Sequence, residues 1–214
     1  MMQLFLKNLE DILLDEFKPA IDPYPGFRLQ RNHDQEYKEE IQRIFAELGG
    51  TGHLPNTCSL NWNLELERGI VQLDEQLHFN KYRRITLRSS IYQEFKGFQL
   101  AKYQQYCRKF DKECLMAGSA GELWTHARAE RLFGPGEEYG DLYGKGAPAW
   151  KVRAFEDFLQ DITAYKEQLP LLRLSVYDEL MINKQLVKIK DILTTPTPEW
   201  KVALINFVKR KLEI

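Results

Sequence analysis

The pattern of apolar residues predicts a chain that alternates between amphipathic helices and short strands. In most segments apolar residues recur every three or four positions, which is the spacing of one buried helix face. In the remaining segments apolar and polar residues alternate with a period of two, which is typical of a strand. Helices are predicted at about 2–17, 34–48, 95–115, 119–133, 150–165, 178–193 and from 198 onward, and strands at 59–74 and 171–177.

The most informative pattern is a predicted β-hairpin. The residues from Leu60 to Glu67 alternate strictly between apolar and polar, and those from Val71 to Asp74 alternate again after a turn at Arg68-Gly69. One face would then be apolar, and the other would carry amides and carboxylates. A two-residue loop at Arg68-Gly69 would place Glu65 opposite Gln72, although a longer loop with a shifted register is also compatible with the sequence.

Candidate chemistry follows directly after the hairpin. Asp74 and Glu75 end its second strand, His78 comes next, and Asn80 is the predicted N-cap of a short basic helix with outward-facing arginines. A carboxylate at a strand end beside a basic segment suits a divalent metal ion next to a phosphate group. A solvated sheet face followed by an exposed basic helix explains the same pattern without any ligand.

The order of these elements predicts a single domain of the α/β (α+β) class over residues 1–214. The helix at 150–165 and the strand that follows it are predicted to form a crossover, which brings this strand into the sheet of the hairpin. The predicted core spans 35–93 and 147–180, with a helical insertion at about 94–146 and C-terminal helices at 181–214.

A glycine-rich segment from Gly134 to Pro148 is predicted to be a surface loop or lid. Its Gly144-Lys145-Gly146 run invites comparison with a phosphate-binding P-loop. The comparison fails, because Tyr139 and Gly146 occupy the positions where that motif needs glycine and serine or threonine.

Composition narrows the range of functions. The formal net charge of -1 argues against a broadly sequence-blind nucleic-acid binder, but it leaves room for a local basic patch. The first residues contain too many charges for a signal peptide or a membrane span, so we expect a cytoplasmic protein with no membrane partner. Cys58, Cys107 and Cys114 are an odd number of thiols without a common zinc-ligand spacing, which favours reduced cysteines.

The order of helix, hairpin, basic helix, later helix and strand resembles the core of the PD-(D/E)XK, or restriction-endonuclease-like, superfamily. The likeness is to its branch related to very-short-patch repair endonucleases, whose hairpin ends in a motif like Val-Glu-Val-Asp-Gly-x-x-His-Phe. The matching run here reads VQLDEQLHF from Val71 to Phe79, and Leu172-Arg173-Leu174 resembles a late strand of that branch. The chain also resembles an uncharacterised bacterial family that shares the segments QLDEQLHFNKYRRITL and WKVRAFEDFLQD.

The resemblance covers about half of the chain and leaves out the segment from about 95 to 146. It implies a central mixed sheet flanked by helices, and Mg²⁺-dependent hydrolysis of phosphodiester bonds in DNA. The implied roles are a metal ligand at Asp74, a proton-transfer or phosphate-orienting group at His78, the catalytic position at Gln72, and phosphate contacts from Arg84 and Arg173. Lys151 is a candidate phosphate contact for another reason, because a cation near the start of a helix is disfavoured by the dipole and hints at a partner charge.

Several positions depart from the pattern of that branch. Gln72 stands where a catalytic Glu is expected, and Asn61 and Asn63 stand where an Asp is expected. A neutral amide is a much poorer ligand for Mg²⁺ than a carboxylate, so Glu65 or Glu75 would have to substitute as metal ligands. The departures favour a second hypothesis, in which the same fold is catalytically inactive and serves as a DNA-binding or protein-interaction module. The oligomeric state is not indicated by the sequence.

Overall fold

The computed structural model describes residues 2–27, 35–54 and 61–212. The predicted start of the hairpin at 59–60, the predicted cap at Asp34 and Cys58 lie outside the described residues. The helices are α1 (Met2–Leu14), α2 (Gln35–Glu47), α3 (Lys81–Thr86), α4 (Ile91–Glu94), α5 (Leu100–Lys109), α6 (Asp111–Gly118), α7 (Ala127–Phe133), α8 (Pro148–Lys166), α9 (Ile189–Thr194) and α10 (Pro198–Leu212). The strands are β1 (Leu64–Leu66), β2 (Gly69–Asp74), β3 (Leu171–Ser175), β4 (Glu179–Ile182) and β5 (Gln185–Lys188), and short 3-10 turns lie at Gln76–His78 and Gly121–Leu123.

The chain has a mixed α+β fold and divides into two compact units. The sheet unit contains residues 1–25, 61–75 and 168–214, and the helical unit contains residues 26–60 and 76–167. This division cuts across the predicted core and insertion, because the residues between Glu75 and Gln168 belong to the helical unit as a whole.

The sheet unit is built on a three-stranded sheet with the order β1-β2-β3. Strand β2 pairs antiparallel with β1 and parallel with β3, and its register places Gln72 opposite Arg173 and Asp74 opposite Ser175. The predicted crossover is therefore confirmed, since β3 joins the sheet of the hairpin. Helix α1 packs against α9 and α10, and α10 packs against β3 and β4, with Leu9 and Leu204 fully buried in this layer.

The hairpin register differs from the two-residue loop considered at Arg68-Gly69. Leu66 pairs with Gly69, so the turn is formed by Glu67 and Arg68, and Glu65 lies opposite Ile70 rather than Gln72. Gly69 is required inside β2 and not in the turn, because a Cβ atom at this position would lie 2.8 Å from the carbonyl oxygen of Pro170.

The helix predicted from Asp178 to Leu193 is wrong, because most of this segment forms a second hairpin. Strands β4 and β5 pair antiparallel, and Asn183 and Lys184 form their turn with positive φ angles of 50° and 65°. A turn with positive φ at both central positions matches the right-handed twist of the flanking strands. In β4 buried and exposed residues alternate, but its sequence, Glu-Leu-Met-Ile, contains three apolar residues in a row and therefore shows no period of two.

The helical unit is organised around α8, which contacts α2, α3 and α7. The ring centroid of Phe45 lies 5.2 Å from the centroids of both Phe133 and Phe155, so aromatic packing joins these helices. The long helix predicted for 95–115 is interrupted at Phe110, which separates α5 from α6. The helix predicted to start at Ser119 begins later, and its N-cap is His126. Among the described helices, none has the length and apolar character needed to cross a membrane.

Candidate functional site

A buried ion pair links the two parallel strands of the sheet unit. Asp74 is the last residue of β2, and its Oδ1 accepts a hydrogen bond of 2.7 Å from Nη1 of Arg173 on β3. The two side chains retain only 1% and 2% exposure. Because both charges are removed from water, the contact between them compensates part of the free energy of their burial. The structure thus brings together Asp74 and Arg173, which the sequence assigned to a metal ligand and a phosphate contact.

The amides that replace the expected carboxylates are bonded to the backbone of the hairpin. Oε1 of Gln72 accepts a hydrogen bond of 3.0 Å from the backbone N–H of Asn63, and Oδ1 of Asn63 accepts one of 2.7 Å from the N–H of Leu73. This reciprocal pair extends the hairpin by one residue before the start of β1. Gln72 and Asn63 therefore have a structural role that a pair of carboxylates could not reproduce without repulsion.

Glu65 does not join Asp74. It lies opposite Ile70, four residues before Asp74, which corresponds to roughly 13 Å along the strand. Its Oε2 accepts a hydrogen bond of 2.5 Å from the backbone N–H of Tyr24. The predicted set of metal ligands is therefore reduced, within the sheet unit, to Asp74 and the neighbouring buried Glu75.

The helical unit contains a histidine held by a carboxylate. His78 ends the 3-10 turn after β2, and its Nδ1 lies 2.9 Å from Oδ2 of Asp157 on α8. The side chains are 14% and 4% exposed. An ionised carboxylate can only accept a hydrogen bond, so Nδ1 of His78 is the donor, and in the neutral imidazole the lone pair is then on Nε2. In this tautomer Nε2 of His78 is the ring nitrogen that can accept a proton or bind a metal ion.

Asp157 lies beside a buried network of hydrogen bonds around Arg83. Nη2 of Arg83 donates a hydrogen bond of 2.6 Å to Oδ2 of Asp161, and the same oxygen accepts one of 2.6 Å from the hydroxyl of Tyr92. Nε of Arg83 lies 3.9 Å from Oδ2 of Asp157. Burial opposes the charge of Arg83, but Tyr92 and the two carboxylates outweigh it and raise the pKa of this guanidinium well above its ordinary value. The arginine stays charged and holds α3 against α8.

The outward orientation predicted for the arginines of α3 is wrong for Arg83, whose side chain is 1% exposed. Arg84, the predicted phosphate contact, is half-exposed on the same helix. The sequence analysis also missed Asp157 and Asp161. Their spacing of four places both carboxylates on one face of α8, within an otherwise apolar stripe, and this spacing is the signal that could have identified them.

Lys151, the remaining predicted phosphate contact, lies near the start of α8 and is buried. Its Nζ lies 5.6 Å from the ring centroid of Tyr82 and 5.9 Å from that of Phe133. Arg84 and Lys151 thus belong to the helical unit, whereas Arg173 belongs to the sheet unit and is bound to Asp74.

These observations define a mixed α+β protein with a buried ion pair in its sheet unit and a carboxylate-oriented histidine in its helical unit. The chain belongs to a protein family of unknown function, DUF7255, which matches residues 43–195. Neither the curated proteins nor the solved structures give a significant match to the chain. Both the Asp74–Arg173 pair and the His78–Asp157 pair lie within the region that the family covers.

Proposed function

We propose that the protein is a nuclease-like hydrolase that cleaves phosphodiester bonds in DNA and is built on a restriction-endonuclease-like core. The observation that carries this proposal is the 2.9 Å contact between His78 Nδ1 and Asp157 Oδ2. A histidine oriented in this way by a largely buried carboxylate is suited to proton transfer. The topology supports the proposal, since a hairpin followed by a parallel strand is the arrangement that the resemblance implies.

In the proposed reaction, Nε2 of His78 accepts a proton from the attacking water. A bond forms between the water oxygen and phosphorus, the bond to the leaving oxygen breaks, and the leaving oxygen takes up a proton from the imidazolium or from solvent. Asp157 holds the imidazole in the required tautomer and stabilises its positive charge, without accepting the proton itself. The guanidinium of Arg83 adds a positive charge 3.9 Å from the same carboxylate oxygen of Asp157.

Magnesium is part of the proposal as the cofactor that the resemblance implies. Carboxylate oxygens are the donors that Mg²⁺ prefers, so Asp74 and Glu75 fit the ion chemically and would hold it, whereas Glu65 is bonded elsewhere on the hairpin. When bound, the ion would stabilise negative charge on the phosphate. Arg173 already places a positive charge against Asp74, so we expect weak binding of the ion.

A second candidate function is a catalytically inactive module of the same fold that binds DNA or a protein. The observation that favours it is the bonding of Gln72 and Asn63 to the hairpin backbone, where the resemblance expects carboxylates. A chain that has replaced both acids by structural amides has lost two of the ligands on which the related enzymes depend.

Incubation of the purified protein with labelled single- and double-stranded DNA separates the two functions. Cleavage is followed with Mg²⁺, with Mn²⁺ and with EDTA, and binding is measured by fluorescence anisotropy under the same conditions. We expect metal-dependent cleavage. Binding without cleavage in any of these conditions would favour the inactive module, and the absence of both binding and cleavage would contradict both functions.

A further inference from the structure

Lys151 is a buried cation without a carboxylate partner among the residues that the structure describes. It is 6% exposed, and no described aspartate or glutamate forms an ion pair with its ammonium group. A buried ammonium is strongly destabilising unless an opposite charge or several hydrogen bonds compensate it. The helix that carries it adds no compensation, because the first turns of α8 present the positive end of the helix dipole.

The surroundings of the Lys151 ammonium group are aromatic on two sides. The rings of Tyr82 and Phe133 lie within cation–π distance, and a Cβ atom at Gly49 would lie 3.3 Å from Nζ. Cation–π contacts stabilise an ammonium group by less than the free energy needed to remove it from water. Gly49, two residues after the end of α2, leaves the space in which the group lies.

Two further lysines surround the same position. Nζ of Lys81 lies 4.9 Å from the centroid of the Tyr82 ring and donates a hydrogen bond to the carbonyl oxygen of Leu142 in the glycine-rich loop. Lys81 and Lys145 both act electrostatically on Lys151, and each disfavours its charge. Asp111 and Asp141 favour the charge of Lys81, but neither forms an ion pair with Lys151. The cluster thus has an excess of positive charge at Lys151.

The glycine-rich loop packs closely against the hydroxyl group of Tyr82 through Gly146 and Ala147. Gly146 has a φ of 60°, and a Cβ atom there would lie 1.8 Å from the hydroxyl oxygen of Tyr82. The same hydroxyl accepts a hydrogen bond of 3.1 Å from the N–H of Ala147. Burial raises the pKa of Tyr82 to about 12, so its hydroxyl stays protonated and can donate to an anion. Burial and the two neighbouring lysines lower the pKa of Lys151, which means that its charged form is held unfavourably without a ligand.

We propose that Lys151, Lys81 and Lys145 form a binding site for a phosphate group on the helical unit, with Tyr82 and the loop around Gly146 as its wall. A tetrahedral dianion supplies the negative charge that the ammonium group of Lys151 lacks. The identification of this phosphate as part of a nucleic acid depends on the proposed function. The anion site itself does not depend on it, because it follows from the position of the Lys151 ammonium group beside the rings of Tyr82 and Phe133, with Lys81 at the same Tyr82 ring.

Thermal unfolding in inorganic phosphate tests this site. The wild-type protein is compared with Lys151→Met, which keeps the length and apolar stem of the side chain, and with Lys112→Met, which removes an exposed lysine of α6. Chloride at equal ionic strength is the control for screening. At a phosphate concentration of about 100 times Kd, we expect the Tm of the wild type and of Lys112→Met to rise by about 5–10 °C.

Lys151→Met removes the buried charge, so it is expected to have a higher Tm than the wild type in chloride. It is expected to gain no stability from phosphate, because the charge that phosphate would neutralise is absent. If Lys151→Met does not fold, Lys145→Met at the exposed loop position provides the same comparison, with a reduced phosphate effect. A wild-type Tm that is equal in phosphate and chloride would overturn the proposal. Stabilisation by phosphate in a protein that cleaves no DNA would instead retain the anion site and reject the hydrolase.

Discussion

Removal of the Asp74 carboxylate is expected to destabilise the sheet unit strongly, whatever its role in catalysis. Asp74→Ala removes the carboxylate that accepts a hydrogen bond from the guanidinium of Arg173, and both side chains are almost completely excluded from solvent. Loss of one member of a buried ion pair destabilises a protein by about 3–5 kcal/mol. For a chain of this length that corresponds to a decrease in Tm of about 6–20 °C.

The assay is thermal unfolding followed by circular dichroism, with Asp11→Ala as a matched control on the exposed side of α1 in the same unit. Asp11→Ala is expected to stay within about 0.5 kcal/mol of the wild type. The double variant Asp74→Leu with Arg173→Met replaces both charges by apolar groups and is expected to recover most of the lost stability. A stability of Asp74→Ala within about 1 kcal/mol of the wild type would refute the reasoning.

Two further predictions concern the helical unit. Gly146→Ala is expected to lower the free energy of unfolding by at least about 2 kcal/mol, because its Cβ would overlap the Tyr82 hydroxyl. Gly140 also has a positive φ but has open space around it, so Gly140→Ala is expected to lower this free energy by only about 1–2 kcal/mol. Both values are measured by urea titration. Burial raises the pKa of the Cys107 and Cys114 thiols from an ordinary 9.0 to about 12, so the stability that they contribute is complete below pH 9 and is lost as the pH rises towards 12. The urea midpoint of the wild type should therefore fall more between pH 7 and pH 10.5 than that of a variant with both cysteines replaced by alanine. A fall of the same size in both proteins would contradict this explanation.

The sequence was informative where local periodicity decides the structure. The apolar stripe of 150–165 predicted α8, whose observed bounds are Pro148–Lys166. The alternation around Leu172 and Leu174 predicted β3 and its place in the sheet of the hairpin. Asn80 was correctly predicted as the N-cap of α3, since its Oδ1 accepts hydrogen bonds from the N–H groups of Tyr82 and Arg83.

The errors occur where distant residues decide the structure. Arg83 turns inward because Asp161, 78 positions later, compensates its charge. The spacing of Asp157 and Asp161 marks two carboxylates on one face of α8, but it does not indicate which residues they bind. Gly69 was assigned to the turn because glycine favours turns, but its role is the close approach of the Pro170 carbonyl oxygen. Asp157 was missed for the same reason as Arg83, and with it the carboxylate that orients His78.

The most direct test of the central claim is the rate at which the His78→Gln variant cleaves labelled DNA, compared with the wild type. The control is His53→Gln, which changes an exposed histidine of the same unit. General acid–base catalysis by a side chain contributes about 10²–10⁴-fold, so we expect His78→Gln to be slower than the wild type by at least about 100-fold. His53→Gln should cleave at the wild-type rate. A His78→Gln protein that is folded and cleaves DNA as fast as the wild type would contradict the assignment of proton transfer to the His78–Asp157 pair.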